Sequence, residues 1–173
     1  MIPIRKAVID SGPLFSALVL HYQFREMRRG RRLAFDSCLE EPLLTMPLQE
    51  QFLSLLYSIR EKLTTSHVIG ELQGLGTSRL KLYGDDRLNF WRASIDLLMQ
   101  WNIDEQLIRL LDMANRIELT DRLASIGVVD TGLIELAAKN GCVLITQDEG
   151  TLARCAWTVG VDCRLVKQLI PQA

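Results

Sequence analysis

Short runs of apolar residues alternate along the chain with longer stretches in which apolar and polar residues mix. Residues 6–9 form one such run, which ends at an Asp-Ser-Gly-Pro turn, and residues 143–146 form another near the far end of the sequence. Runs that are apolar without alternation are typical of strands buried on both faces. Weaker signals predict two further strands, at residues 63–65 and 161–166.

The mixed stretches predict helices. In residues 48–63 the apolar side chains recur every three or four positions, which places them on one helix face. Similar patterns predict helices at residues 14–27, 88–101, 104–117, 130–140 and 148–156. A further helix is predicted from residue 67 to 72 or beyond, with Ser66 as its N-cap. Residues 36–47 are a predicted loop. Buried strands separated by helices imply a parallel sheet covered on both faces, so the predicted fold class is α/β.

Composition narrows the class of protein. The chain has 173 residues, of which 48% are hydrophobic and 24% are charged, as in one ordinary globular domain. This balance excludes a disordered or low-complexity chain. Lys and Arg total 20 and Asp and Glu total 21, giving a net charge of −1 at pH 7. The overall charge therefore does not indicate a nucleic-acid partner, which a local basic patch would have to hold.

The apolar run at residues 13–20 is too short to span a bilayer, which takes about 20 residues. Asp10 precedes this run and the basic segment 25–32 follows it, which is the reverse of the order in a secretory signal peptide. The sequence therefore predicts a cytoplasmic protein without a membrane partner.

Acidic residues stand where the predicted strands end and the predicted helices begin. Asp10 directly follows the first strand, and Asp148 follows strand 143–146 after one further residue. Glu71 lies in the helix after the second strand, and Asp130 opens the helix before strand 143–146. Ligands of open parallel sheets bind at the carboxyl ends of the strands. If the four carboxylates converge there, Mg²⁺ or Mn²⁺ is the natural counter-charge, because these hard cations prefer oxygen ligands.

Each of these acids also has a purely structural interpretation. Asp10 suits a turn before Gly-Pro. Asp130 and Asp148 stand at positions where Asp commonly caps a helix. Glu71 suits the solvated face of a helix. The joint pattern, rather than any one residue, favours a site.

The segments that carry the four acids resemble the PIN-domain family of ribonucleases, VapC-like members included. They are residues 8–11 (VIDS), 68–72 (VIGEL), 129–137 (VDTGLIELA) and 143–148 (VLITQD). An Asp ends the first strand, a Glu lies on a helix near residue 70, an Asp opens a later helix, and Thr-x-Asp follows the next strand, in the order of that family. The resemblance covers most of the chain and is most specific in residues 126–152.

This resemblance implies a three-layer α/β fold, with a central, mostly parallel sheet between helices. It implies one domain over residues 1–173, with helical elaborations at about 25–60 and 85–117 that compact toxin-type members lack. It further implies metal-dependent hydrolysis of phosphodiester bonds in RNA, by the toxin of a toxin–antitoxin pair or by an RNA-processing enzyme. The implied partners are RNA, a cognate antitoxin protein and a second copy of the chain in a homodimer.

The resemblance also implies roles for individual residues. Four carboxylates would form the catalytic set and hold Mg²⁺ or Mn²⁺: Asp10, Glu71, Asp130 and Asp148. Thr146 would orient a carboxylate or a water through its hydroxyl group. Ser11 would do the same, or would cap a helix.

A basic cluster lies outside these segments. Five arginines fall within eight residues and offer an RNA-backbone contact, since guanidinium groups pair well with phosphate: Arg25, Arg28, Arg29, Arg31 and Arg32. The other interpretation is a solvated helix end or a surface that faces a partner protein.

Two other functions remain open from the sequence. One is a catalytically inactive PIN-like module that binds RNA or protein. The other is a phosphatase or receiver-type protein with an aspartyl nucleophile. Haloacid-dehalogenase-type sites need Asp-x-Asp after the first strand, and Gly12 stands where the second Asp is required, which counts against that site.

Overall fold

The computed structural model of the chain describes residues 3–33, 35–39, 43–109 and 117–170. Five strands form one sheet in the order β3-β2-β1-β4-β5, and every neighbouring pair is parallel. The strands are β1 Lys6–Ile9, β2 Glu61–Thr65, β3 Asp104–Gln106, β4 Val143–Thr146 and β5 Cys163–Leu165. The predicted fold class, α/β with a parallel sheet between helices, is confirmed.

Helices cover both faces of this sheet. They are α1 Ser11–Arg28, α2 Met46–Ser58, α3 Ser66–Arg79, α4 Gly84–Gln100, α5 Ile117–Asn140, α6 Leu152–Thr158 and α7 Val166–Leu169, with a 3₁₀ turn at Asp36–Cys38. Right-handed crossovers put α1, α3 and α4 on one face and α5 and α6 on the other. In agreement, α1 contacts α2, α3 and α4, whereas α5 contacts β1, β2 and β4.

The core lies around β1, β4 and α1. Ala7, Val8 and Ile9 of β1 have no exposed surface, and the same holds for Leu144 and Ile145 of β4. Helix α1 is apolar around most of its circumference and is buried without interruption from residue 13 to residue 20. A helix that is apolar all round must be covered on all sides, and α1 fills the space between the sheet and three other helices.

No helix in the described part of the chain is both long enough and apolar enough to cross a bilayer.

The predicted helix 104–117 is wrong at its start. Residues 104–106 form the edge strand β3, whose partners in β2 run from Leu63 to Thr65, and residues 110–116 lie outside the described part of the chain. The backbone pairing to β2 outweighs the side-chain periodicity, as tertiary context often does. An edge strand also tolerates charged side chains, because one side of it faces water.

Two other boundaries differ from the predictions. The predicted helix 48–63 is wrong at its end: α2 stops at Ser58, and the N–H groups of Arg60 and Glu61 donate to the carbonyl oxygen of Arg5 at 3.1 and 2.9 Å, which begins the pairing with β1. The N-cap of α3 is Thr65 rather than Ser66, since the hydroxyl of Thr65 accepts the N–H of Val68 at 3.4 Å. In the first case β2 begins two residues earlier than the apolar pattern indicated, and in the second case α3 begins one residue earlier than predicted.

Candidate active site

The candidate site lies where the strand order reverses. The chain leaves β1 towards β2 and β3 on one side, whereas β4 and β5 lie on the other, so the carboxyl ends of β1 and β4 border a crevice at the switch point of the sheet. Such crevices are the usual ligand sites of open α/β sheets. Pairing continues to the end of these strands, because the N–H of Asp10 donates to the carbonyl oxygen of Ile145 at 3.0 Å.

Asp10 is held at the bottom of this crevice. Only 7% of its surface is exposed. One carboxylate oxygen accepts the N–H and the hydroxyl of Ser11 at 2.5 and 3.2 Å, so Asp10 is the N-cap of α1. The other oxygen accepts the hydroxyl of Thr146 at 2.7 Å. Burial raises the pKa of Asp10 although these hydrogen bonds act in the opposite direction.

Thr146 connects two of the four acids. Its hydroxyl is fully buried, donates to Asp10 and accepts the N–H of Asp148 at 2.9 Å. A single side chain therefore fixes the end of β1 against the turn that follows β4. Ser11 and Thr146 both contact a carboxylate of the predicted set, Ser11 at the start of α1 and Thr146 at the end of β4.

Asp148 closes the turn after β4. Its carboxylate accepts the N–H groups of Gly150, Thr151 and Leu152 at 2.8, 3.0 and 3.3 Å. The predicted helix 148–156 therefore starts later, at Leu152, because residues 148–151 form the capped turn. The interpretation of Asp148 as a helix N-cap is therefore wrong, because the N-cap of α6 is Thr151 and Asp148 closes the turn before it. Asp148 is exposed, and its charge acts on Asp130 in the crevice.

Asp130 reaches the crevice because α5 is broken. Gly127 has φ 86° and ψ 175°, a conformation that favours glycine, and the helix resumes directly after it. The hydroxyl of Thr131 donates to the carbonyl oxygen of Gly127 at 2.7 Å across this break. Asp130 thus stands in the first turn of the resumed helix, as the sequence predicted.

The charges of the other three acids act on Asp130. Burial, as the largest cause, and the charges of Asp10, Asp148 and Glu71 together raise the pKa of Asp130 to about 7. The charge of Glu71, on the exposed face of α3, also raises the pKa of Asp10. The four acids lie far apart in sequence and meet electrostatically around Asp130; we call them the acidic crevice.

The acidic crevice has the donor chemistry of a hard-cation site. Its four acids supply only carboxylate oxygens, which Mg²⁺ and Mn²⁺ prefer. Burial is the main cause of the raised pKa of Asp130 and the three neighbouring charges add to it, and a bound cation would offset both effects. Among the described residues, no three His, Cys, Asp or Glu side chains are arranged to surround one ion. Mg²⁺ often keeps several waters and binds through one or two carboxylates, so this donor set fits it without a closed cage.

Gln147 is a residue of this crevice that the sequence analysis did not identify. It lies between Thr146 and Asp148, and its side chain exchanges hydrogen bonds with the hydroxyl of Ser16 in α1, at 3.2 and 3.4 Å. A Cβ atom on Gly12 would stand 2.8 Å from its amide oxygen. Gly12 therefore lets the turn that follows β4 approach the start of α1. The sequence feature that could have indicated this contact is a glycine in the first turn of a predicted helix.

The arginine cluster is not brought to the crevice. Asp10 caps the start of α1 and Arg28 ends the helix, so at 1.5 Å per residue they are about 25 Å apart along its axis. The start of α1 lies at the carboxyl edge of the sheet, which places the cluster towards the opposite edge.

Three of the five arginines are paired within the chain. Glu26 in α1 is 1% exposed, and two guanidinium groups neutralise it. The pairs are Arg25–Asp96 at 3.2 Å, Arg29–Glu26 at 2.9 Å, Arg31–Glu26 at 3.0 Å and Arg31–Asp86 at 2.7 Å. Arg28 and Arg32 are exposed and have no ion pair within the described residues.

No protein-family model matches the chain, and a search of curated proteins finds no match for it. The resemblance to PIN domains thus rests on the four sequence segments.

Proposed function

We propose that this protein is a divalent-metal-dependent nuclease that hydrolyses phosphodiester bonds in RNA. The observation that carries the proposal is that Asp10, Asp148 and Glu71 act electrostatically on Asp130 near the switch point of the sheet and, together with burial, raise its pKa to about 7. Clustered carboxylates oppose folding, and a bound cation offsets that cost. RNA as the substrate, and a toxin or RNA-processing role, come from the resemblance to PIN-domain ribonucleases, whereas a cytoplasmic location comes from the order of the apolar run and the basic segment in the sequence.

Each residue of the crevice has a part in this proposal. Asp10, Asp130 and Asp148 would hold one or two Mg²⁺ or Mn²⁺ ions, each ion through one or two carboxylates and its own waters, with Glu71 completing the set or acting through water. When bound, the metal lowers the pKa of water and offsets the negative charge that grows on the phosphoryl oxygens. Thr146 keeps the carboxylate of Asp10 in a fixed orientation, and Ser11 holds its other oxygen.

One observation favours the second candidate, a PIN-like module that binds without turnover. The carboxylate of Asp148 already accepts three backbone N–H groups, so the turn it closes accounts for its presence without any metal. Activity separates the two candidates.

Purified protein incubated with a mixed RNA pool should cleave it with Mg²⁺ or Mn²⁺ present and should not cleave it with EDTA. The metal dependence follows because four carboxylates without a cation repel a phosphate backbone. Fragments are read on a denaturing gel. Equal cleavage with and without EDTA would overturn the metal-dependent proposal, and RNA binding without cleavage under any condition would establish the binding module instead.

The arginine cluster predicts a binding effect that depends on substrate length. The cluster lies about 25 Å from Asp10 along α1, so only a longer RNA can reach both places. The double variant Arg28→Gln, Arg32→Gln should weaken binding of an RNA of about 20 nucleotides and lower its salt slope by about 1.4, since each lost phosphate contact on a single strand removes about 0.7. An RNA of about four nucleotides should bind as to wild type.

The matched control for this pair is Arg25→Gln, whose guanidinium group is already paired with Asp96. It should leave the salt slope for the long RNA nearly unchanged. A double variant with the wild-type slope would assign Arg28 and Arg32 to another role, and an equal loss for both RNA lengths would place the short RNA at the cluster.

A further inference from the structure

The outer face of α4 carries an apolar stripe. Leu88, Ile95 and Met99 are 47%, 53% and 75% exposed, and their spacing of seven and four places them on one side of the helix. The opposite side is buried through Phe90, Ala93 and Leu97. A helix that is apolar on its inner and its outer face is normally covered on both. We call Leu88, Ile95 and Met99 the outer stripe.

A groove continues the outer stripe at the end of α4. The cavity has a volume of about 370 Å³ and lies between α3, α4 and the segment that leads into β3. Its lining residues are Ile69, Leu98, Met99, Asn102, Ile103 and Glu105. The stripe and the groove together form one mainly apolar surface, which is typical of a protein–protein contact.

We propose that this surface binds a second copy of the chain, with the two α4 helices packed antiparallel about a two-fold axis at the level of residue 94. A two-fold interface must be self-complementary, because the same patch serves both copies. The charged residues of α4 meet that condition. Arg92 and Asp96 are exposed, lie on the same flank of the outer stripe and are equidistant from residue 94.

In this arrangement each Arg92 faces Asp96 of the second copy. A two-fold axis perpendicular to antiparallel helices brings like flanks together, so both pairs form at once. Within the described residues Arg92 has no ion pair of its own, and Asp96 meets only Arg25, in an exposed contact of 3.2 Å. Complementary charges of this kind fix the register of an interface and its orientation.

The same axis brings Leu88 to the groove. Antiparallel pairing about residue 94 sets Leu88 of one copy at the level of residue 100 of the other. Helical side chains lean towards the N-terminus of their own helix, which carries Leu88 further, towards Asn102 and Ile103 of the second copy. An exposed leucine thus meets an apolar groove at each end of the interface.

The measurable consequence is the mass of the protein in solution. Sedimentation equilibrium over a concentration series should give a dimer of twice the 19.6 kDa chain mass. Ile95→Glu should give a monomer, because two like charges would meet close to the axis. Met46→Glu is the matched control: Met46 is 43% exposed at the start of α2, away from the outer stripe, and its variant should remain dimeric.

A charge exchange tests the register. Arg92→Asp and Asp96→Arg should each weaken dimerisation by roughly tenfold or more, about 1.4 kcal/mol, and the double variant should recover most of the loss. Asp96→Arg also breaks the ion pair between Arg25 and Asp96 within one copy. Arg25→Gln breaks the same pair without changing the interface and should stay dimeric, so it is the control for that loss. A monomeric wild type, a dimeric Ile95→Glu or a double variant no better than the singles would each overturn the proposal. None of these readouts depends on nuclease activity.

Discussion

Replacing Asp10 by Asn should lower RNA cleavage by about 100-fold or more and leave the fold intact. Residues that only support a metal ligand typically cost 10- to 100-fold in activity or metal affinity, and loss of a ligand should cost at least as much. Stability should not suffer, because burial raises the pKa of Asp10 and its charge therefore opposes folding. The expected signature is RNA cleavage lowered by about 100-fold or more together with an equal or higher melting temperature.

The matched control is the same substitution at the opposite edge of the sheet. Asp162 lies just before β5 and pairs with Arg164 at 3.1 Å. Asp162→Asn removes one negative charge from the same sheet, and RNA cleavage should stay within about twofold of wild type because an exposed ion pair contributes little. Full cleavage by Asp10→Asn, measured beside this control, would remove Asp10 from the site.

The sequence predicted the centre of the fold better than its edges. Strands β1 and β4 are predicted because their apolar runs have no alternation, and such runs have few other uses in a chain of this kind. β3 is three polar residues long, and only its backbone bonds to β2 make it a strand. Local pattern cannot show a backbone pairing across some forty residues of chain.

The sequence identified the acids of the acidic crevice, but it did not show that they lie near one another. Asp10 and Asp148 stand out because each follows a predicted strand. Whether they meet depends on β1 lying beside β4, a pairing between the two ends of the chain that only the resemblance to PIN domains suggested. The buried state of Glu26, which pairs with two arginines of the cluster, has no signal in the sequence.

The outer stripe of α4 shows something else that the apolar pattern of the sequence cannot predict. Apolar residues on both sides of α4 predict a helix, but the sequence does not say which side meets the core. Phe90 and Leu97 are buried while Ile95 and Met99 are exposed. Only the packing of α4 against α1 and α3 assigns the faces.

Without divalent metal, the free energy of unfolding should fall as the pH rises from about 4 to about 7. The pKa of Asp130 is about 7 in the folded protein and near 3.8 in the unfolded chain. Between these values the folded state binds more protons, so its stability is complete below the lower value and is lost as the pH passes the upper one. After an allowance for solvent screening of this half-buried group, the loss is roughly 2 kcal/mol. Asp10 acts in the same direction.

Thermal melts in EDTA at a series of pH values measure this loss, and added Mg²⁺ or Mn²⁺ should reverse it above pH 7. A metal that binds only the folded state adds about 2.7 kcal/mol at a hundredfold excess over its dissociation constant, and adds less at low pH, where protons compete for the carboxylates. Asp130→Asn should flatten the pH profile and reduce the gain from metal, while Asp162→Asn should change neither. A wild-type profile that is flat in EDTA and unmoved by both ions would mean that the four carboxylates neither repel one another nor share a cation, because either interaction alone requires the melting temperature to move.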